Sequence, residues 1–237
     1  MNIVKHGLLF SLSLTQIIMV QGQTAEEIIN KHFDAVGGKD RISMIKSIYT
    51  ESSVSVQGNE APSTITILNG KGYRLESEFN GQKIIQVYTD RGGWTVNPMA
   101  GANEPKSLPE DQYKAGKDQI DVGGPLFDYS GKGNKVELQG REDGAFKLKV
   151  TNRDKISTTF FIDPSTYYIT KVVMMATMMG QDMEITRSYS NFQKTNYGYV
   201  LPFTIDINYG GSFNVTSTVK KVQVNKEVDA KIFDMPK

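Results

Sequence analysis

The chain has 237 residues, with 27 basic and 26 acidic side chains and a formal net charge of +1. That balance argues against nucleic acid as a partner, because neutralising phosphates takes a basic excess. It has no cysteine, so neither disulfides nor a cysteine-borne lipid anchor can hold it; its stability must come from a core, which a chain of this length can bury.

Residues 1–6 carry Lys5, and residues 7–20 read GLLFSLSLTQIIMV, apolar and uncharged, with Gly22 just beyond. This is the layout of a secretory signal peptide, with cleavage expected after Gly22. The apolar run of 14 residues is too short to cross about 30 Å of hydrocarbon as a helix, which takes roughly 20. The mature chain, residues 23–237, is therefore expected to be one exported domain, soluble and not lipid-anchored.

Thr24-Ala25-Glu26-Glu27 reads as a capping box opening a helix. Ile28, Ile29, Phe33 and Val36 fall on one face of it, and Gly37-Gly38 end it. A second short helix, 39–46, puts Ile42 and Ile45 on one side. From Ser47 the period changes to two: Val54 and Val56, Ile65 and Ile67, then Tyr73, Leu75 and Phe79 alternate with polar neighbours. Asn69-Gly70, Asn80-Gly81, Asp143-Gly144 and Gly210-Gly211 supply hairpin turns between such runs. Further strands follow around Phe146–Val150, 157–162, 170–179, 183–192, 203–209 and 213–219. A meander of about ten antiparallel strands must curl or close.

Residues 98–133 break the pattern, being rich in Gly, Pro and Lys. Ser107-Leu108-Pro109-Glu110 reads as a second capping box and predicts a helix over 108–120. An excursion of this length inside a meander suggests a lid or insert.

Residues for catalysis are scarce. His6 leaves with the signal peptide, and His32 sits beside an apolar helical face, where a structural role is expected. With one mature histidine and no cysteine, a zinc site is not expected. No carboxylate pair, calcium loop or phosphate loop stands out. The chain is therefore expected not to be an enzyme, with no catalytic residues, no metal and no cofactor.

What remains is apolar. In Lys171–Met179 one face carries Val172, Met174, Ala176 and Met178, and the other Val173, Met175 and Met179. A strand with one wet side should alternate cleanly. Two readings stay open: a core strand partly covered by helices, or the wall of a pocket for a flexible apolar ligand, which methionine suits. Trp94 and Val96 end the strand that feeds the 98–133 excursion.

Several stretches together resemble the outer-membrane lipoprotein-sorting (LolA/LolB-like) family, in its Bacteroidetes form. They include residues 25–38, Gly92-Gly93-Trp94-Thr95-Val96-Asn97-Pro98, Val136-Glu137-Leu138-Gln139-Gly140, Phe161-Ile162-Asp163-Pro164-Ser165-Thr166-Tyr167, Gly198-Tyr199-Val200-Leu201-Pro202 and Phe233-Asp234-Met235-Pro236. The resemblance implies a mainly β (α+β) fold: a single curved antiparallel sheet forming a half-open barrel, with N-terminal helices and an inserted helical lid over the concave face. It implies a carrier of a hydrophobic ligand, a lipid or a lipoprotein acyl chain, with a membrane-bound receptor or donor complex as a further candidate partner. The same fold can also serve a periplasmic sensor or interaction module. The expected lining or cover of the hollow is Trp94, Val96, Leu126, Phe127, Val172, Met174 and Met178. The family's inward arginine, which holds the lid shut, has no match at Arg74, which alternates with Tyr73 and Leu75 and reads as outward.

Overall fold

The computed structural model describes residues 23–236 apart from 179–180, and leaves the side chains of 177, 178 and 181 undescribed. The signal-peptide reading therefore lies outside the described residues.

Helix α1 (Ala25–Ala35) opens with the expected capping box: the Thr24 hydroxyl accepts from the Glu27 amide, and the Glu27 carboxylate accepts from the Thr24 amide. Gly37 and Gly38 turn the chain at φ +130° and +92°. Helix α2 (Lys39–Ser43) follows and is shorter than expected. Ile28, Ile29, Phe33, Ile42 and Ile45 are all essentially buried.

Thirteen strands then form one antiparallel sheet: β1 (Ser47–Val56), β2 (Asn59–Leu68), β3 (Gly72–Phe79), β4 (Gln82–Thr89), β5 (Gly93–Asn97), β6 (Ala102–Ser107), β7 (Lys135–Glu142), β8 (Ala145–Thr151), β9 (Ser157–Ile162), β10 (Ile169–Met178), β11 (Gln181–Lys194), β12 (Val200–Tyr209) and β13 (Phe213–Val224). The class is the expected one, with more strands than the ten or so anticipated. The strands not anticipated separately are β4, which runs on through a short turn into β5, and the edge strands β6 and β7. The edges carry few apolar residues, and β6 contains Pro105. Edge strands avoid further pairing by such means; β6 gives no period-two signal, and β7 only a short one at Val136 and Leu138.

The order across the sheet is β6-β5-β4-β3-β2-β1-β13-β12-β11-β10-β9-β8-β7. Two meanders therefore meet at a β1–β13 seam, where Ile48 lies opposite Val224 and Val56 opposite Val215. Strands β6 and β7 lie at opposite edges, so the chain between them must cross the whole sheet. That crossing segment holds helix α3 (Glu110–Gly116), a 3-10 turn (Lys117–Ile120) and a run of turns to Asn134. The forecast helix over 108–120 is thus shorter, and its capping box does not form. Ser107 is pinned in β6 opposite Trp94 instead, leaving Pro109 at the cap with no side-chain hydrogen bond.

The larger core joins α1 and α2 to Leu126 of the crossing segment and to Phe146, Leu148, Val150, Phe160, Ile162 and Val172 on the sheet. A smaller one packs Ile85, Val87 and Trp94 under Phe233.

Candidate functional site

The register sorts every side chain to one of two faces. Tyr73 and Leu75 on β3 lie opposite Ile67 and Ile65 on β2, and opposite Tyr88 and Gln86 on β4. Continuing through Ile48 and Val56 on β1, Val215 on β13 and Ile207 on β12, the same face reaches Arg187 on β11 and Val172 on β10. On a flat sheet the five strand steps from β3 to β11 would span about 24 Å. Yet the Arg187 charge acts on the Tyr73 and Tyr88 phenols, so the sheet curls towards this face. Helix α3 lies inside the curl, near β10, with Gly116 at its end against the Tyr88 ring.

Half of this hollow is filled. Val172 and Phe160 belong to the large core. Further along, Val54, Val56, Leu75, Met174, Ile207 and Val215 point inward yet are only half-buried. This leaves an apolar wall without a full complement of packing partners.

At the boundary between the filled and open halves stands Arg187. Its cross-strand neighbours are Val172 and Ile207. The oxygens of Tyr73, Tyr189 and Tyr209 support its charge against burial, and Tyr189 lies in hydrogen-bonding reach. The Nε atom is buried with no hydrogen-bond partner. Such a donor costs about 1–3 kcal/mol when left unpaired. Among the described residues no carboxylate forms an ion pair with it. Burial pushes the Tyr88 phenol up to about 12 and drives Tyr73 still higher.

No protein-family model matches the sequence, and no curated protein does. Solved structures do. A LolA superfamily protein from Nitrosomonas europaea superposes with a TM-score of 0.58 at 14% identity, covering 90% of this chain and 98% of its own. An outer-membrane lipoprotein-sorting domain from Vibrio parahaemolyticus gives 0.58 at 12% identity, covering 89% and 97%. The chain has the LolA fold.

Within this LolA-like half-barrel the expected site residues separate into three places. Val172 and Met174 are on the concave face, and Met178 shares their register, although its side chain lies outside the described residues. Met175, on the other side of β10, is 56% exposed, so of the two Met faces it is that of Met174 that turns to the concave side. Leu126 and Phe127 sit at the closed end beside α1, where Phe127 meets Phe33 edge-on at 5.3 Å.

Trp94 and Val96 are a correction. They lie opposite Val87 and Ile85 on the convex face, away from the hollow. The C-terminal turn Ala230–Phe233 covers them, and Trp94 Nε1 donates to the Phe233 carbonyl at 2.9 Å. The physical reason is register: Gly93 and Thr95, not Trp94, continue the Tyr88 face. Arg74 is outward as expected, stacked over Trp94 and donating to the Ile232 carbonyl at 2.7 Å. On β11, Arg187 faces inward; the exposed Arg141 at the β7 edge shares this face but lies over Phe146. The position of Arg187 between Thr186 and Ser188 reveals little without knowing which face of β11 is covered.

Two clefts lie elsewhere. One of about 280 Å³ is bounded by α2, the β2–β3 turn and the crossing segment. The other, about 660 Å³ and open, is formed by polar residues of α1 and α2. His32 lines neither cleft; it is buried on α1, and because a carbonyl only accepts, its Nδ1 must donate to Tyr167 O, 2.8 Å away. Among the described residues no cluster of potential metal ligands occurs, and no helix is long and apolar enough to cross a membrane.

Proposed function

We propose that this chain is a periplasmic, non-enzymatic carrier or binding protein for a hydrophobic ligand, a lipoprotein acyl chain or another lipid, held in the half-barrel hollow. The observation that carries this reading is the half-buried apolar wall of Val54, Val56, Met174, Ile207 and Val215 on the concave face. An acyl chain of about 14 methylenes gains on the order of 10 kcal/mol from burial, before costs, at roughly 0.8 kcal/mol each. Ordering the chain and displacing α3 would reduce this to a reversible affinity. The likeness to the outer-membrane lipoprotein-sorting domain of Vibrio parahaemolyticus supports the same class of ligand.

The test is uptake of a fluorescent long-chain fatty acid, with native mass spectrometry of the gently purified protein. Val54→Glu places a charge on the wall opposite Ala61 and Ser217, where no cation can pair with it, and is expected to weaken uptake by at least about tenfold, since burying an unpaired charge is costly. No uptake by the wild type, together with a clean unliganded mass, would sink the carrier reading. The filled closed end of the hollow favours a second reading, a sensor or interaction module that uses its outer surface. That reading predicts this clean mass.

A further inference from the structure

We propose that Arg187 holds the carboxylate of a long-chain fatty acid, with the phenols of Tyr73, Tyr88, Tyr189 and Tyr209 around it and the acyl chain laid along the apolar wall. This names the ligand class for the carrier reading above and rests on it.

The structure presents an unmet demand at this point. Arg187 Nε is buried and unpartnered, and among the described residues no carboxylate pairs with the guanidinium. A charge placed in an apolar sheet face without a counter-ion is costly, and proteins normally supply one. The residue as a whole nevertheless keeps part of its surface exposed. A guanidinium is a planar fork that matches a carboxylate with two parallel hydrogen bonds.

The surroundings fit the same ligand. Phenols donate only while they hold their protons, and Tyr73 and Tyr88 are buried in a way that keeps them protonated far above neutral pH. The Tyr88 hydroxyl also accepts from the Gln86 amide, leaving its own proton free to point inward. Next to this polar cluster, Ile185 and Met174 continue the same face as apolar surface. A polar head site that opens directly onto an apolar track is the shape of a single-chain amphiphile.

Charge narrows the head group. The register puts no second cation on this face of β1–β4, β12 or β13. One guanidinium neutralises a monoanion and leaves a dianionic phosphate monoester half-neutralised in a poorly solvated place.

The experiment compares three ligands on the full mature chain: a fluorescent polyene fatty acid, its methyl ester, and lysophosphatidic acid as competitor. The wild type should bind the acid at least about tenfold tighter than the ester, the scale of one hydrogen-bonded ion pair. Arg187→Gln should abolish that preference and leave the ester's affinity unchanged. If Arg187→Gln does not fold, Tyr209→Phe, which keeps the ring, should weaken the acid selectively. Equal affinity for acid and ester in the wild type, or a preference that survives Arg187→Gln, overturns the head-group assignment and leaves the carrier reading standing. Stronger competition by lysophosphatidic acid than by unlabelled fatty acid overturns the carboxylate in favour of phosphate. Binding of neither acid nor ester overturns both readings.

Discussion

Trp94 is the one tryptophan in the chain, and it works on the outside of the sheet. Its indole N–H satisfies the Phe233 carbonyl while its ring lies beneath Arg74. Trp94→Phe keeps an aromatic ring but orphans a buried acceptor. The expected loss is about 1–3 kcal/mol in chemical denaturation, with lipid uptake unchanged because the hollow is on the other face. His32 makes a different prediction. Burial lowers its pKa below the ordinary value despite the hydrogen bond to Tyr167. As pH falls through about 6.5, the unfolded chain therefore takes up a proton that the folded chain refuses. Stability should drop across that window and below it, down to the folded-state value. His32→Gln should flatten the curve of denaturation midpoint against pH between neutral and mildly acidic conditions; an unchanged slope would show that other groups control it.

At the scale of elements, α3 is held by a missing side chain. A Cβ on Gly116 would fall 2.1 Å from the Tyr88 ring, while the backbone there is ordinary right-handed geometry, φ −109° and ψ −15°. Alanine therefore gains about 1 kcal/mol of helix propensity but meets overpacking of about 1–3 kcal/mol, and the clash wins. Gly116→Ala should lift α3 from Tyr88, seen as faster hydrogen exchange in residues 110–120 with the strands unaffected. Local signals made several elements legible. The α1 capping box, the Asn80-Gly81 and Asp143-Gly144 turns with both residues at positive φ, and the alternation in β3 and β8 are all written in short windows. The second capping box misled because Ser107 had a competing use in a strand pair. Polar β6 was silent, and β7 showed only Val136 and Leu138, because edges are selected for discouraging partners, not for long apolar alternation.

For the whole molecule, an apolar sheet needing cover was legible, but which face curls inward was not. Alternation gives two faces and leaves their handedness to the global curl. Trp94, expected inside, therefore lies on the convex side, while Val172 and Met174, on the strand where both faces were weighed, lie on the concave side. Arg187 was invisible for the same reason: apart from Tyr189 on its own strand, its tyrosine neighbours come from β3, β4 and β12, more than 20 residues away in sequence. Only closure of the sheet brings them together.

The seam between β1 and β13 has a kinetic side. The register of β1 against β13 joins residues such as Ile48 and Val224 across nearly the whole described chain. Strands β1 to β6 can zip as hairpins while the chain is still emerging, since each pairs with its sequence neighbour. One edge of β1 must then wait, unpaired, until the final strand arrives. Contacts this distant in sequence slow folding, and a waiting edge is open to wrong partners. In the finished fold that edge is sealed at the middle of the sheet. The exposed margins are instead β6, with its proline, and β7, with its charges; the vulnerable edge of the nascent chain and the edge of the native protein are different strands.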